Sequence, residues 1–184
     1  MKVGLIMGSD SDLPVMKKAL DIFDEFGVDY EVCLASAHRT PAAVREFAFG
    51  AEDRGISVLV AGAGMAAHLP GVVASYTTLP VIGVPLESGS LKGMDALLAI
   101  VQMPSGMPVA TMAINGAKNA ALMAIQIGAA SDPELKAAYK AYREKMAKQV
   151  MEKNDKLQQS LQTRKSVKDK LNSTVEQVRS VLKK

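Results

Sequence analysis

Five short apolar runs alternate with segments of helical pattern along the chain, and this alternation constrains the fold more than any other feature. Each run is apolar on both faces, which is typical of strands in a parallel sheet covered by helices on both sides. Because crossovers between parallel strands are right-handed, the pattern predicts a three-layer α/β fold with a flavodoxin-like, doubly wound parallel sheet. The predicted strands are Val3–Met7, Tyr30–Leu34, Val58–Ala61, Val81–Val84 and Val109–Ala113.

Start and stop signals outline the helices between these strands. The first helix has Pro14 in its first turn and Gly27 just past its end, as expected of helix termini. Thr40 and Pro41 predict the N-cap and first position of the second helix, and we expect Gly55 to end it. Further helices are expected from about His68, over Leu91–Val101, over Gly116–Ala130 and, as a long C-terminal helix, after Ser131-Asp132-Pro133-Glu134.

The charge distribution separates a nearly neutral body from a basic tail. Residues 161–184 hold seven Lys and Arg against two Asp and Glu, although the net charge of the whole chain is only +3. Apolar residues recur in this tail at helical spacing, which predicts an amphipathic helix. It either packs on a neighbouring subunit or frays in solvent, or it contacts a membrane surface or a polyanion. We therefore expect one catalytic α/β domain over residues 1–160, including the C-terminal helix, and a basic amphipathic helical tail over residues 161–184.

The neutral body and the scarcity of cysteine and histidine exclude several functions. A nucleic-acid-binding domain would carry a basic patch on its folded body, so we expect no nucleic-acid partner. The one cysteine, Cys33, excludes a disulfide framework and a cysteine metal site, which indicates a reducing, cytoplasmic location. Two histidines without a third ligand predict no metal site. No apolar run reaches membrane-spanning length, so no membrane partner is expected.

The only two histidines, His38 and His68, both follow predicted strands. In an open parallel sheet, ligands bind outside the carboxyl ends of the strands, near the point where the strand order reverses. The flavodoxin-like order places the first strand between the second and the third. Both histidine segments are therefore expected to flank the turn at Gly8-Ser9 around one crevice, near the polar exit of the fourth strand at Pro85–Gly89.

Residues at these strand exits suit an anionic ligand that carries a flat ring. Backbone N–H groups at Gly8-Ser9, where a helix opens, favour a phosphate, and the guanidinium of Arg39 has the fork geometry to bind one. Asp12 is compatible with a role in binding ribose hydroxyls and equally with that of an ordinary acidic residue in the first helical turn. The Gly62–Gly64 stretch lacks the spacing of a dinucleotide fingerprint, so its glycines are expected to let the backbone approach a ring closely.

Four segments together resemble the class I PurE family of purine biosynthesis, the N5-carboxyaminoimidazole ribonucleotide mutases. They are Met7–Asp12, Ser36–Pro41, Ala61–Gly71 and Gln102–Gly106, and the resemblance spans roughly residues 2–155 in order and spacing. It implies a flavodoxin-like subunit of a homo-octamer, with active sites at subunit contacts, a ribonucleotide substrate and no metal or organic cofactor. Met65 departs from the pattern, because this family usually has a second glycine at that position.

The resemblance also implies roles for individual residues. His38 occupies the position of the family's acid–base group, and the Gly62–Gly71 loop with His68 would close over the imidazole and the carboxylate of the substrate. Ser9, Asp12 and Arg39 match ribonucleotide-binding positions, and Ser36 would help to hold the phosphate. With the anion-suited turn included, the expected substrate-binding residues are Ser9, Asp12, Ser36, Arg39, Gly8, Gly64 and His68.

The expected reaction is therefore an isomerisation that moves a carboxyl group from N5 to C4 of the substrate. It would proceed by decarboxylation and recarboxylation, with His38 as general acid and base. Two alternatives stay open from the sequence: a class II aminoimidazole ribonucleotide carboxylase that uses CO2 directly, and a non-catalytic flavodoxin-like module that binds a nucleotide.

Overall fold

A five-stranded parallel sheet lies at the centre of the fold in the computed structural model, which describes residues 1–181. Its strands are β1 (Lys2–Met7), β2 (Asp29–Leu34), β3 (Val58–Gly64), β4 (Val81–Leu86) and β5 (Ala110–Thr111). Their order across the sheet is β2-β1-β3-β4-β5, and every neighbouring pair is parallel. This is the strand order of a flavodoxin-like, doubly wound sheet, so the predicted α/β class is confirmed.

Burial distinguishes the inner strands from the edge strand β2. Almost every residue of β1, β3 and β4 is buried, whereas every residue of β2 is exposed or only partly buried. On β2, the Glu31 carboxylate accepts hydrogen bonds from Lys2 Nζ at 2.6 Å and from Arg54 Nε at 2.9 Å. Charged side chains on an edge strand also discourage pairing with a foreign strand.

Helices cover both faces of the sheet and complete three layers. In the described part of the chain these are α1 (Leu13–Phe26), α2 (Pro41–Phe49), α3 (Leu69–Ala74), α4 (Met94–Val101) and α5 (Ala117–Ala129), and a further helix, α6 (Pro133–Val181), follows them in sequence. A short 3₁₀ turn, Asp10–Asp12, precedes α1. α1 packs against α5, and α2 packs against α3. The long C-terminal helix expected after Glu134 is confirmed.

The second helix ends earlier than its sequence predicts. α2 stops at Phe49 rather than at Gly55, because Gly50 serves as its C-cap and the chain then turns through residues 50–55. Gly55 closes that turn with a left-handed φ of +77° and a hydrogen bond from its N–H to the carbonyl of Glu52. Glycine adopts this conformation without steric cost, so Gly55 ends the turn that follows α2 and not α2 itself.

Two further elements are shorter than predicted. α4 begins at Met94 rather than at Leu91, because Gly93 just before it adopts a left-handed conformation with φ +85°. β5 pairs with β4 at only two positions, instead of over the predicted Val109–Ala113. Pro108 precedes this stretch and has no N–H to donate to a ladder.

The chain divides into two compact units, Met1–Tyr139 and the segment from Lys140 onward. The first contains all five strands, the helices α1 to α5 and the start of α6. The described part of the second is the rest of α6, which ends at Val181. No helix of the described part of the chain combines the length and the apolar character that crossing a bilayer requires.

Candidate active site

A cavity of about 530 Å³ opens at the carboxyl ends of β1, β2, β3 and β4. This is the edge of the sheet where parallel α/β proteins bind their ligands. All eight residues singled out from the sequence lie in its wall, together with Ser11, Ala37, Ala63, Met65, Ala66, Ala67, Leu69 and Ser88. The candidate site residues brought together are Gly8, Ser9, Asp12, Ser36, His38, Arg39, Gly64 and His68.

The turn after β1 is closed by a capping box. The Ser9 hydroxyl accepts a hydrogen bond from the backbone N–H of Ser11, and the Asp12 carboxylate accepts one from the backbone N–H of Ser9 at 3.0 Å. Burial raises the pKa of Asp12, against the lowering effect of its backbone hydrogen bonds. Asp12 therefore holds the turn in shape and, in the same position, presents its carboxylate to the cavity.

The turn after β2 is held by hydrogen bonds of the side chains at its two ends, Ser36 and Thr40. Thr40 Oγ1 accepts a hydrogen bond from the Ser36 N–H at 2.9 Å and donates one to the Ser36 carbonyl at 3.3 Å. The Ser36 hydroxyl accepts a hydrogen bond from the Arg39 N–H at 3.2 Å. Thr40 is the N-cap of α2 and Pro41 its first residue, as predicted, but the Thr40 hydroxyl makes no capping hydrogen bond and closes the 36–40 turn instead.

The Arg39 side chain reaches from this turn to the next strand exit. Its Nη2 donates a hydrogen bond to the Gly8 carbonyl at 3.2 Å. Among the described residues, its guanidinium makes no ion pair with a carboxylate. The cation therefore lies beside the Gly8-Ser9 turn with its charge available to an anion.

The two histidines meet across the cavity. His38 Nε2 and His68 Nδ1 lie 2.7 Å apart, and their rings are nearly perpendicular at 77°. At this distance one of the two nitrogens carries the hydrogen and the other accepts it. The prediction that both histidine segments flank the Gly8-Ser9 turn around one crevice agrees with this geometry.

The histidine segment after β3 has an unusual backbone. Met65 and Ala67 are both in the left-handed region, with φ of 54° and 39°, and the Ala67 N–H donates a hydrogen bond to the Gly64 carbonyl. A non-glycine residue in this region costs about 1–2 kcal/mol. The Met65 side chain is 63 % exposed, so burial does not compensate for that cost.

The glycines of β3 make room for side chains. A Cβ on Gly62 would come within 2.5 Å of the Met16 sulfur, and a Cβ on Gly64 within 2.7 Å of Ser88 Oγ. Gly62 does not border the cavity, so its expected role in ring binding is corrected: it accommodates Met16. Ser88 belongs to the polar exit of β4 that the sequence indicates, but only its packing on Gly64 distinguishes it from its neighbours.

The fold and the cavity define a class: an α/β protein with a cavity at a strand-order reversal, lined by an arginine without an ion pair to any described residue, a capped turn and a pair of histidines. Comparison with known proteins gives the particular family. The family model described as AIR carboxylase matches residues 2–149. The chain therefore belongs to the AIR carboxylase family.

Individual relatives are similar over most of their length. The N5-carboxyaminoimidazole ribonucleotide mutase of Thermotoga maritima is 58% identical over 158 residues, which cover 86% of this chain and 92% of that protein. The protein of the same name from Pyrococcus horikoshii is 59% identical over 157 residues, covering 85% and 89%. The crystal structure of Treponema denticola PurE is 30% identical with a TM-score of 0.76, covering 85% of this chain and 98% of that one.

Proposed function

We propose that this protein is an N5-carboxyaminoimidazole ribonucleotide mutase, an isomerase that moves a carboxyl group from N5 to C4 of its substrate. The observation that carries the proposal is the single cavity that gathers His38, His68, Arg39 and the Gly8-Ser9 turn. The names of relatives that are 58% and 59% identical to this chain support the same reaction.

The cavity suits a ribonucleotide in one orientation. The phosphate lies beside the Arg39 guanidinium, which no carboxylate of the described residues neutralises, and next to the turn that carries Ser9. Asp12 accepts hydrogen bonds from ribose hydroxyls, and Ser36 supports the phosphate end. The base then points toward the exits of β3 and β4, where the segment from Gly64 to His68 lies over it.

His38 carries the protons of the reaction. The protonated imidazole gives its proton to N5 as the bond between N5 and the carboxyl carbon breaks, which releases CO2 and leaves the amine. C4 attacks the trapped CO2 to form the new carbon–carbon bond, and the neutral imidazole then removes the C4 proton. His38 returns to its starting state, as an isomerisation requires, and no oxidant or cofactor enters the balance.

The two alternatives differ from the mutase in what they turn over. In the test, the purified protein is incubated in one reaction with N5-carboxyaminoimidazole ribonucleotide and in another with aminoimidazole ribonucleotide and CO2. NMR identifies the products of each reaction. The mutase converts the first substrate to 4-carboxy-5-aminoimidazole ribonucleotide. Turnover of the second substrate alone would identify a carboxylase, and binding without turnover of either would identify a non-catalytic module.

The same proposal includes a homo-octamer with active sites at subunit contacts. α4 supports it, because Met94, Leu98 and Val101 recur at helical spacing and are each about half exposed. An apolar helix face of this kind is typical of a surface covered by another subunit. Light scattering coupled to size-exclusion chromatography measures the number of subunits, and a monomer would contradict this part of the proposal.

We also place the protein in the cytoplasm. Cys33 is a free thiol, half-buried in β2, and is the only cysteine of the chain. A chain without disulfides fits a reducing compartment. Fractionation of cells that express the tagged protein tests the location.

A further inference from the structure

The loop after β4 places the hydroxyl group of Ser88, which has no hydrogen-bond partner among the described residues, in the wall of the cavity. The Ser88 Oγ atom is itself buried. Buried polar groups in native proteins almost always have a partner, so an unpartnered hydroxyl in the wall of a site calls for an explanation.

The Ser88 hydroxyl lies against the backbone of Gly64. A Cβ at that position would come within 2.7 Å of the Ser88 oxygen, so the glycine leaves room for the hydroxyl. A serine side chain has three staggered positions about one bond. Since no hydrogen bond holds the hydroxyl against Gly64, it is free to turn toward a ligand in the cavity.

A clamp between two loops fixes the backbone that carries Ser88. Asn115 Oδ1 accepts a hydrogen bond from the Glu87 N–H at 3.0 Å, and Asn115 Nδ2 donates one to the Glu87 carboxylate at 3.2 Å. The Asn115 N–H also donates to the Pro85 carbonyl at 2.8 Å. The residue just before Ser88 is thus held by side chain and backbone, which is the arrangement expected of a positioned site residue.

The strand order indicates which part of the substrate Ser88 meets. Arg39 follows β2 and Ser88 follows β4, so the two residues lie on opposite sides of the cavity, with the exits of β1 and β3 between them. With the phosphate at Arg39, the base and its carboxyl group lie toward Ser88. CO2 and carboxylate oxygens only accept hydrogen bonds, and a hydroxyl can donate one.

We infer that Ser88 is a catalytic residue that donates a hydrogen bond to the carboxyl group in transit and retains CO2 between its release from N5 and its capture by C4. This inference rests on the proposed mutase function. It assigns to the β4 exit a task separate from proton transfer by His38, so the loss of Ser88 should affect the fate of CO2 as well as the rate.

The test follows the carboxyl carbon. The full-length protein converts N5-carboxyaminoimidazole ribonucleotide, labelled with ¹³C in its carboxyl group, in buffer containing unlabelled CO2, and mass spectrometry measures the label in the product. Ser88→Ala is expected to lose severalfold more label than wild type and to have a kcat about tenfold lower, as for the loss of one hydrogen bond to a charged group. Ser90→Ala, on an exposed residue of the same loop, is the matched control.

Two outcomes would overturn the inference in distinguishable ways. A Ser88→Ala variant that retains label and rate like Ser90→Ala would overturn the role of Ser88 alone. A wild-type protein that does not convert the substrate would overturn the mutase function, and the inference with it.

Discussion

The two turns that carry the histidines are built in opposite ways. The 36–40 turn is tied by hydrogen bonds between Ser36, Arg39 and Thr40. The segment from Gly64 to His68 has one internal backbone hydrogen bond and two non-glycine residues in the left-handed region. A proton carrier must keep its position within a fraction of an ångström, whereas a segment that closes over a ligand needs alternative conformations. This difference supports the proposal that His38 transfers the proton and that the segment with His68 closes over the ligand.

The largest expected effect separates the two histidines. His38→Asn should lower kcat at least about 100-fold, because general acid–base catalysis is lost while the cavity keeps its shape. His68→Asn keeps a group able to hydrogen-bond His38 and should lower kcat less than about tenfold. Initial rates with N5-carboxyaminoimidazole ribonucleotide measure both, and equal losses would break the assignment of one proton carrier.

The next largest effect tests whether the hydrogen bonds of the 36–40 turn matter for catalysis. Thr40→Val removes both hydrogen bonds to Ser36 with little change in volume, and should lower the free energy of unfolding by about 1–2 kcal/mol and kcat severalfold. Thr77→Val is the control, since its hydroxyl accepts a hydrogen bond from the Leu79 N–H outside the cavity. Denaturant unfolding and rates on both variants check this. If Thr40→Val kept the wild-type kcat, the turn would not be what positions His38.

A smaller effect tests the strain in the other segment. Met65→Gly should raise the free energy of unfolding by up to about 1 kcal/mol, because glycine removes the left-handed cost but loses more entropy on folding. Met65→Ala removes the exposed side chain and keeps the left-handed backbone, so it should not stabilise the protein. Thermal unfolding compares the two. Equal stabilisation by both variants would show that the side chain, not the backbone, carries the cost.

The smallest expected effect concerns Glu31 on β2, the strand that leads into the 36–40 turn. Hydrogen bonds from Lys2 and Arg54 lower the pKa of Glu31 below its ordinary value of 4.5. Their stabilisation is present above that value and is lost as the pH falls through the lowered pKa. Glu31→Gln should therefore be less stable than wild type by under about 1 kcal/mol at pH 7. The difference in stability should shrink in acid. Denaturant unfolding of both proteins at pH 7 and at a pH below the lowered pKa of Glu31 measures this.

The sequence predicted the sheet more completely than it predicted the site. Strand order follows from apolar alternation and chirality, which are local or general properties. The hydrogen bonds of the Thr40 side chain could not be predicted. A threonine hydroxyl before a helix can bond either the start of that helix or the preceding turn, and only the folded 36–40 turn brings Ser36 within reach. The distance from His38 to His68 and the place of Ser88 depend on tertiary packing. The division at residue 160 stays a prediction.

The close packing of Met16 on Gly62 has a consequence for how this family can diverge. These two positions, far apart in the chain, share one volume in the interior of the fold. Because Met16 is fully buried, a larger residue at 62 requires the Met16 side chain to shift or to be replaced by a smaller one, so the two positions are expected to vary together. Relatives that carry alanine at the position of Gly62 should therefore show a shorter side chain opposite it.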